Sequence, residues 1–178
     1  GTMRTIFGMI LARSVADSGS AEAGFDWLRR LDGQTKEYAH NPALLHLKME
    51  RQEGVVTMWE LTDILFQQER GAPLAYVFPT SGSPVIEDSI GLVRGAPHPE
   101  PARAFIEWTG SRAAQELAAK ELYRLPARTD LPADELPVWA REALDQLRVA
   151  QVDWSLLEAN GTEWMNRWDR EVRGQGGG

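Results

Sequence analysis

Short β-branched and aromatic runs alternate with helical patterns through the first half of the chain. The predicted strands cover Thr35–Ala39, Val55–Trp59 and Leu74–Phe78, and the helices between them are predicted to begin at Asn41 and Glu60. Strands that alternate with helices of about ten residues are typical of a mostly parallel sheet covered on both faces. This alternation predicts an α/β fold class.

The remaining segments are predominantly helical. The first forty residues predict two helices, one with apolar residues at helical spacing from Met3 to Leu11 and one over Ala21–Leu31. A further extended run is predicted over Val85–Val93. Four predicted helices follow it, over Glu100–Thr109, Ser111–Lys120, Pro137–Leu147 and Asp153–Arg173. The chain is therefore expected to have an α/β front half and a helical back half.

The charge balance limits the kinds of partner. The formal net charge is −7, from 19 basic and 26 acidic residues. Nucleic-acid binding requires a concentrated basic surface, so we expect no nucleic-acid partner. No apolar stretch approaches the roughly 20 residues that span a bilayer. The apolar run Ile6–Ala12 contains Gly8 and ends at Arg13, so we interpret it as a buried helix rather than as a signal peptide.

The sequence offers no supported nucleophile, metal cluster or cofactor loop. It has no cysteine and no glycine-rich phosphate loop, and Ser81-Gly82-Ser83 lacks the first glycine of a nucleophile elbow. The histidines are scattered: His40 and His46 are six residues apart, a spacing that places them on different faces of a helix. We therefore expect a protein that is not an enzyme and that uses neither a cofactor nor a metal.

Five residues are the candidates for contacting a ligand. Thr2 and Arg4 begin one predicted helix and Asn41 another, and helix N-termini offer free amides and a positive dipole end to an anion. A role as a helix N-cap explains Asn41 equally well. Trp59 and Glu60 lie where a predicted strand meets a helix, the place where ligands bind in open α/β sheets. The other six tryptophans fall inside helical patterns, which predicts packing roles for them.

A series of short motifs extends in order along nearly the whole chain. They are GTMRT at 1–5, GFDWLRRL at 24–31, RQEGVV at 51–56, GAPL at 71–74 with VFP at 77–79, SIGLVRGAPHPE at 89–100, AFI at 104–106 and PAR at 126–128. In this order they resemble the extracellular solute-binding proteins of ABC importers. The group that they resemble most includes ferric-iron, phosphonate, sugar-phosphate and polyamine binders.

This resemblance implies a periplasmic-binding-protein-like fold of type II. Residues 1–84 would form its α/β second lobe, residues 85–178 would supply a crossing strand and helical C-terminal segment to the first lobe, and the N-terminal part of the first lobe would be absent. The resemblance also implies a periplasmic or extracellular protein. Iron binders of this group have adjacent tyrosines near the predicted strand that ends at Trp59, whereas residues 57–61 contain none. We therefore expect a small anionic or polar organic solute rather than ferric iron.

The same resemblance implies a mechanism. A cleft would close around the solute by a hinge motion near residues 80–90, and the protein would then present the solute to the membrane permease of an ABC importer. Thr2, Arg4 and Asn41 would hold an acidic or phosphorylated group. Trp59 and Glu60 would contact the rest of the solute.

Two alternatives remain open. One is a freestanding protein-interaction module derived from such a fold, with a vestigial cleft and tryptophan-rich helices that bind a protein. The other is a small enzyme, which a carboxylate pair of perturbed pKa in a deep pocket would favour.

Apolar residues of the back half would also lack a cover, which predicts a homodimer. These residues are Phe105, Ile106, Trp108 and Leu117.

Overall fold

The computed structural model describes residues 2–39, 41 and 44–174. Its regular structure is helical. In chain order the helices are α1 (Thr2–Ser18), α2 (Glu22–Asp32), α3 (Leu45–Glu50), α4 (Leu61–Glu69), α5 (Pro99–Thr109), α6 (Arg112–Leu122), α7 (Val138–Gln146) and α8 (Trp154–Glu171). A short 3₁₀ turn, Ala133–Glu135, lies between α6 and α7. None of the helices in the described part of the chain is both long enough and apolar enough to cross a membrane.

The helices lie close to where periodicity and capping residues predict them. Ser111 Oγ accepts a hydrogen bond from the Ala114 amide (3.2 Å) at the start of α6, and Asp153 Oδ1 accepts one from the Leu156 amide (2.9 Å) at the start of α8. Each bond satisfies an amide that has no partner within its own helix. Gly71 follows α4 with a φ of +88°, a left-handed conformation that glycine adopts without steric cost.

The chain divides into two compact units. One comprises Gly1–Glu60 with Val149–Gly178, and the other comprises Leu61–Arg148. The predicted division at residue 84 refers to the lobes of the family that the sequence resembles, so it stays a prediction.

The first unit is organised around the packing of α1, α2 and α8. Its buried side chains are Phe7, Leu11, Ala12, Phe25, Leu28, Trp164, Trp168 and Val172. Close approach of α1 and α2 depends on Gly24, because a Cβ at that position would lie 3.0 Å from Leu11 Cδ2 and 3.1 Å from Ser14 Cβ. Ser14 also joins the two helices, since its Oγ accepts from the Gly24 amide (3.0 Å) and donates to the Ser20 carbonyl (2.7 Å). The apolar spacing predicted for α1 and α2 is therefore confirmed.

Arg167 on α8 contacts α2 through hydrogen bonds to Glu22 and a cation–π interaction with Phe25. Its guanidinium donates to both carboxylate oxygens of Glu22 (2.5 and 2.8 Å) and to Glu171 (2.8 Å), and its Cζ lies 4.1 Å from the centre of the Phe25 ring. The hydrogen bond from Arg167 lowers the pKa of the Glu22 carboxyl group. This bidentate hydrogen bonding is specific to arginine. The planar guanidinium directs two parallel N–H groups at the two carboxylate oxygens, and a lysine ammonium has no such pair.

The end of α8 is held by a buried carboxylate. Asp32 is 6% exposed, and its Oδ1 accepts from the Tyr38 hydroxyl (2.7 Å) and from the Gly174 amide (2.9 Å). The Tyr38 ring packs edge-on against Trp168, with the ring centres 5.1 Å apart. Asp32 therefore satisfies donors from two segments that are far apart in sequence.

The second unit has a smaller core. Leu131, Leu136 and Ala140 are buried together, with Leu125 and Trp139 packed against them. The Trp139 indole NH donates to the Ala119 carbonyl (3.0 Å). Tyr123 packs edge-on against the ring of Phe66, with centres 4.9 Å apart.

The predicted strands do not pair into a sheet within the described part of the chain. Residues 2–39, 41 and 44–174 contain no paired strand of more than one residue. The predicted strands instead expose their β-branched side chains: Val55 is 90% exposed, Val56 83% and Val77 89%. The physical reason is that a strand is stabilised by neighbours on its edges, and β-propensity alone supplies no neighbour.

Tyr38 leads to a prediction about stability at high pH. Burial, aided by the hydrogen bond to Asp32, raises the pKa of Tyr38 from 10.0 to about 12. Because folding raises this pKa, its contribution to stability is complete below pH 10 and is lost as the pH rises through 12. We expect the free energy of unfolding in urea to fall over this range in the wild type and to fall less steeply in Tyr38→Phe. Equal slopes in the two proteins would contradict the assignment.

Candidate functional site

Arg4 lies in the first turn of α1 and contacts α8. Its guanidinium donates to Thr162 Oγ1 (3.3 Å), and a Cβ at Gly161 would lie 3.2 Å from Arg4 Nη2. The glycine thus leaves room for the arginine on the surface of α8. Thr2 begins α1, and its side chain lies outside the described part of the structure. Arg4 is exposed, so the contact with α8 leaves part of its guanidinium accessible to solvent.

Asn41 lies on the surface ahead of α3. Its carbonyl accepts a hydrogen bond from the Leu44 amide (3.1 Å), and its side chain is exposed. Its predicted pairing with Pro42 at a helix start lies outside the described residues. The regular helix α3 begins at Leu45, with Leu44 as the residue before it, so the helix starts later than predicted.

Trp59 packs against a histidine that the sequence analysis assigned to no site. The rings of Trp59 and His46 are nearly parallel, with an interplanar angle of 12° and ring centres 6.3 Å apart. Trp59 Nε1 and His46 Nδ1 are both buried, and neither has a hydrogen-bond partner within the described part of the chain. Buried polar nitrogens are usually paired, so this aromatic pair is the feature of the predicted site that most needs an explanation. Glu60, the next residue, is exposed.

The second unit contains a groove of about 420 Å³. Its lining residues are Val77, Phe78, Pro79, Thr80, Asp145, Gln146 and Arg148. One side is apolar and the other carries a carboxylate and a guanidinium, neither of which forms an ion pair with any residue in the described ranges. The groove is broadly open to solvent, unlike the enclosed clefts that bury most of a small ligand.

Sequence reasoning missed the groove because nothing in its residues signals a site. Asp145 and Arg148 lie at the end of a predicted amphipathic helix, where single charges are common on solvated faces. Their proximity to Phe78 is a tertiary contact that no local spacing predicts.

Over residues 2–39, 41 and 44–174, no three histidine, aspartate or glutamate side chains are grouped so that they could hold a metal ion.

The unpaired indole nitrogen yields a prediction. Phenylalanine at position 59 keeps an aromatic ring beside His46 but removes a buried donor that has no partner. We expect Trp59→Phe to leave the free energy of unfolding unchanged or to raise it by up to about 1 kcal/mol, because a buried unsatisfied donor is destabilising. Trp154→Phe, at an exposed tryptophan, is the matched control. A clear loss of stability in Trp59→Phe alone, measured by urea denaturation, would contradict this expectation.

Three relatives among the curated proteins match most of this chain. An uncharacterized protein of Haemophilus influenzae is 26% identical over 167 residues, which is 92% of this chain and 47% of the relative. A putative 2-aminoethylphosphonate-binding periplasmic protein of Salmonella typhimurium is 25% identical over 90% of this chain and 50% of its own length. A probable ABC transporter periplasmic-binding protein of Sinorhizobium fredii is 20% identical over 97% of this chain and 48% of its own length.

The chain thus spans about half the length of these relatives. No family model matches it, and no solved structure does. The resemblance inferred from the ordered motifs is nevertheless confirmed, because two of the three relatives are named as binding proteins of this kind. Over most of its length, this chain is therefore a relative of the periplasmic-binding proteins of ABC transporters.

Proposed function

We propose that this chain is the solute-binding component, or part of it, of an ABC importer. The observation that carries the proposal is its similarity, over 90% or more of its residues, to proteins named as periplasmic-binding proteins. The proposed setting is periplasmic or extracellular, and the proposed partners are a small-molecule solute and the importer's membrane permease. Binding without catalysis is proposed as well, since transport requires the solute to be released unchanged.

The proposed solute is a small anionic or polar organic molecule, with 2-aminoethylphosphonate as the first compound to test. The Salmonella relative is named for this compound, which carries a phosphonate and an amine. Two alternative sets of residues are proposed to contact such a molecule. The set predicted from sequence is Thr2, Arg4, Asn41, Trp59 and Glu60, and the set that lines the groove includes Asp145 and Arg148. An arginine suits the phosphonate because its planar fork donates to two oxygens at once.

The proposed mechanism is closure of a cleft around the solute. The hinge is placed near residues 80–90, and this chain corresponds to a second lobe of type II with a helical extension toward a first lobe. The proposal includes pairing of the predicted strands, because their valines are exposed in the structure and apolar surface of this kind is usually covered.

The first experiment is a binding titration of the purified chain with 2-aminoethylphosphonate, followed by thermal unfolding. Ligand at 100 times its Kd should stabilise the fold by about 2.7 kcal/mol. Ethylphosphonate and ethanolamine, each of which lacks one of the two charged groups, should bind at least about tenfold more weakly. No stabilisation by any phosphonate, polyamine or sugar phosphate would count against the proposed function.

The variants in this experiment assign the site. Arg4→Gln and Trp59→Ala test the set predicted from sequence, with Arg13→Gln and Trp154→Ala as controls at exposed positions. Arg148→Gln tests the groove, and Arg141→Gln, at an exposed arginine of the same helical region, is its control. Loss of binding in either test set relative to its controls locates the solute. Unchanged affinity in Arg4→Gln and Trp59→Ala would overturn their predicted role.

A second candidate function is a freestanding protein-interaction module with a vestigial cleft. The observation that favours it is the outer face of α5, where Phe105 and Trp108 are 56% and 48% exposed and stack with ring centres 5.7 Å apart. Leu117 on α6 is 49% exposed, whereas Ile106 is partly buried. Aromatic residues exposed together in this way are enriched at protein interfaces.

A homodimer is also proposed to form through this face of α5. We expect the wild type to show twice the chain mass by light scattering after gel filtration, because a second copy covers the apolar surface of α5. Phe105→Ser with Trp108→Ser should shift the protein to a monomer, and Val138→Ser, at an exposed apolar residue on α7, should not. A wild-type monomer at high concentration would exclude the dimer.

A further inference from the structure

The chain has three asparagines, and each is followed by a different kind of residue. The three pairs are Asn41-Pro42, Asn160-Gly161 and Asn166-Arg167. Asparagine is thermolabile, because the backbone nitrogen of the next residue can attack its side-chain carbonyl carbon. A proline nitrogen carries no hydrogen, and an arginine side chain shields its own backbone nitrogen. Glycine presents neither obstacle, so Asn160 is the asparagine with the most reactive neighbour.

The packing of α8 on α1 explains why a glycine follows Asn160. Gly161 is buried in the middle of α8, where glycine is less favourable than alanine for the helix itself. A Cβ at this position would lie 3.2 Å from Arg4 Nη2 and 3.5 Å from Arg4 Nε. Arg4 uses this space to donate to Thr162 on the same helix (3.3 Å). The contact between the two helices therefore places a chemically labile pair inside α8.

The helix holds Asn160 in an unreactive conformation. Asn160 Nδ2 donates to the Leu156 carbonyl (3.0 Å), and the Gly161 nitrogen belongs to the hydrogen-bonded backbone of the helix interior. Attack on Asn160 Cγ requires a rotation of the Asn160 backbone that takes it out of the α-helical conformation. Opening is opposed by α1, because Leu157 packs so closely on Gly8 that a Cβ there would lie 2.9 Å from Leu157 Cδ2. Reaction at Asn160 thus requires α8 to open.

We infer that Asn160 is a site of spontaneous deamidation and that the packing of α8 on α1 controls its rate. When α8 opens, the Gly161 nitrogen bonds to Asn160 Cγ and the Cγ–Nδ2 bond breaks. The proton of the Gly161 amide leaves with Nδ2 as ammonia. Water then hydrolyses the succinimide ring at one of its two carbonyls, which gives aspartate or isoaspartate. Water is the only other reactant, so the modification is independent of any solute.

The isoaspartate product makes the opening of α8 irreversible. Its main chain runs through the former side chain, which lengthens the backbone by one carbon between residues 160 and 161. The helix after this point can no longer continue in register with the helix before it. Thr162, Trp164 and Arg167 then cannot resume their contacts with α1 and α2 together. A local opening that is reversible by itself becomes a permanent loss of the native state.

Peptide mapping by mass spectrometry tests the inference on the full chain. The protein is incubated at mildly alkaline pH in buffer and in urea above its unfolding midpoint, and isoaspartate is detected by enzymatic methylation. Asn160 should react about tenfold or more faster in urea than in buffer, because the folded chain reacts only through its open fraction. Asn166 is the internal control: it is more exposed than Asn160 in the folded chain, yet it should react more slowly in urea.

Two variants separate the opening of α8 from the chemistry. Leu157→Ala removes packing against α1 without changing the reacting pair, so it should raise the rate in buffer by about tenfold or more. Leu144→Ala, at an exposed leucine of α7, is the matched control and should react as the wild type does. Gly161→Ala shields the attacking nitrogen and should slow the reaction in urea by about tenfold. The comparison in urea decides the chemical step even where a variant folds poorly.

Refolding tests the effect of the product. Chains that have formed isoaspartate in urea are diluted into buffer beside Asn160→Asp, which has the same side-chain charge and an ordinary backbone. Asn160→Asp should regain slow hydrogen exchange across α8, and the isoaspartyl chain should not.

Three results would overturn the inference. Equal rates at Asn160 in buffer and in urea would show that α8 does not control the reaction. An unmodified Asn160 in the unfolded chain would show that it is not a deamidation site. Full recovery of exchange protection in the isoaspartyl chain would show that the modification does not make opening irreversible. Each of these measurements is made without a solute, so the inference and the proposed function fail or succeed separately.

Discussion

The packing of α8 against α1 and α2 is the interaction on which the first unit depends. It joins residues near both ends of the chain around Phe25 and Trp168, and Arg167 holds Glu22 across a separation of 145 positions. Arg4 and Asp32 add polar contacts on either side of this core. The hydrogen bonds Arg167–Glu22, Arg4–Thr162 and Gly174–Asp32 each join positions more than 140 residues apart, so α8 and the segment after it tie the two ends of the chain together.

The predicted helices form, whereas the predicted strands do not pair. One physical difference between helices and strands explains both outcomes. A helix satisfies its backbone locally, so caps such as Ser111 and Asp153 and the spacing of Phe7 and Leu11 are sufficient to place it. A strand depends on a neighbour that local sequence does not reveal. The runs around Val55 and Val77 therefore have strand composition but remain unpaired. Tryptophan roles were predicted in part: Trp164 and Trp168 are core residues, whereas Trp27, Trp108 and Trp154 are exposed.

The candidate site was less predictable than the helices. Residue type suggested Arg4 and Trp59, but only the structure shows that Arg4 contacts Thr162 and that Trp59 is stacked with His46. The groove beside Phe78 joins two regions more than sixty residues apart, and no motif marks either of them. Sequence comparison supplied what geometry could not, namely the class of protein to which the chain is related.

The discontinuity of the first unit has a consequence for the order of events during synthesis. Its α1 and α2 leave the ribosome well before α8, because all of Leu61–Arg148 is made in between. At elongation rates of about 5–20 residues per second, the apolar face of α1 and α2 stays exposed for on the order of ten seconds before α8 has been synthesised. During that interval Phe7 and Phe25 are open to other nascent chains and to chaperones. The time for which a nascent chain is vulnerable is thus set by the length of the second unit rather than by the folding rate of the first.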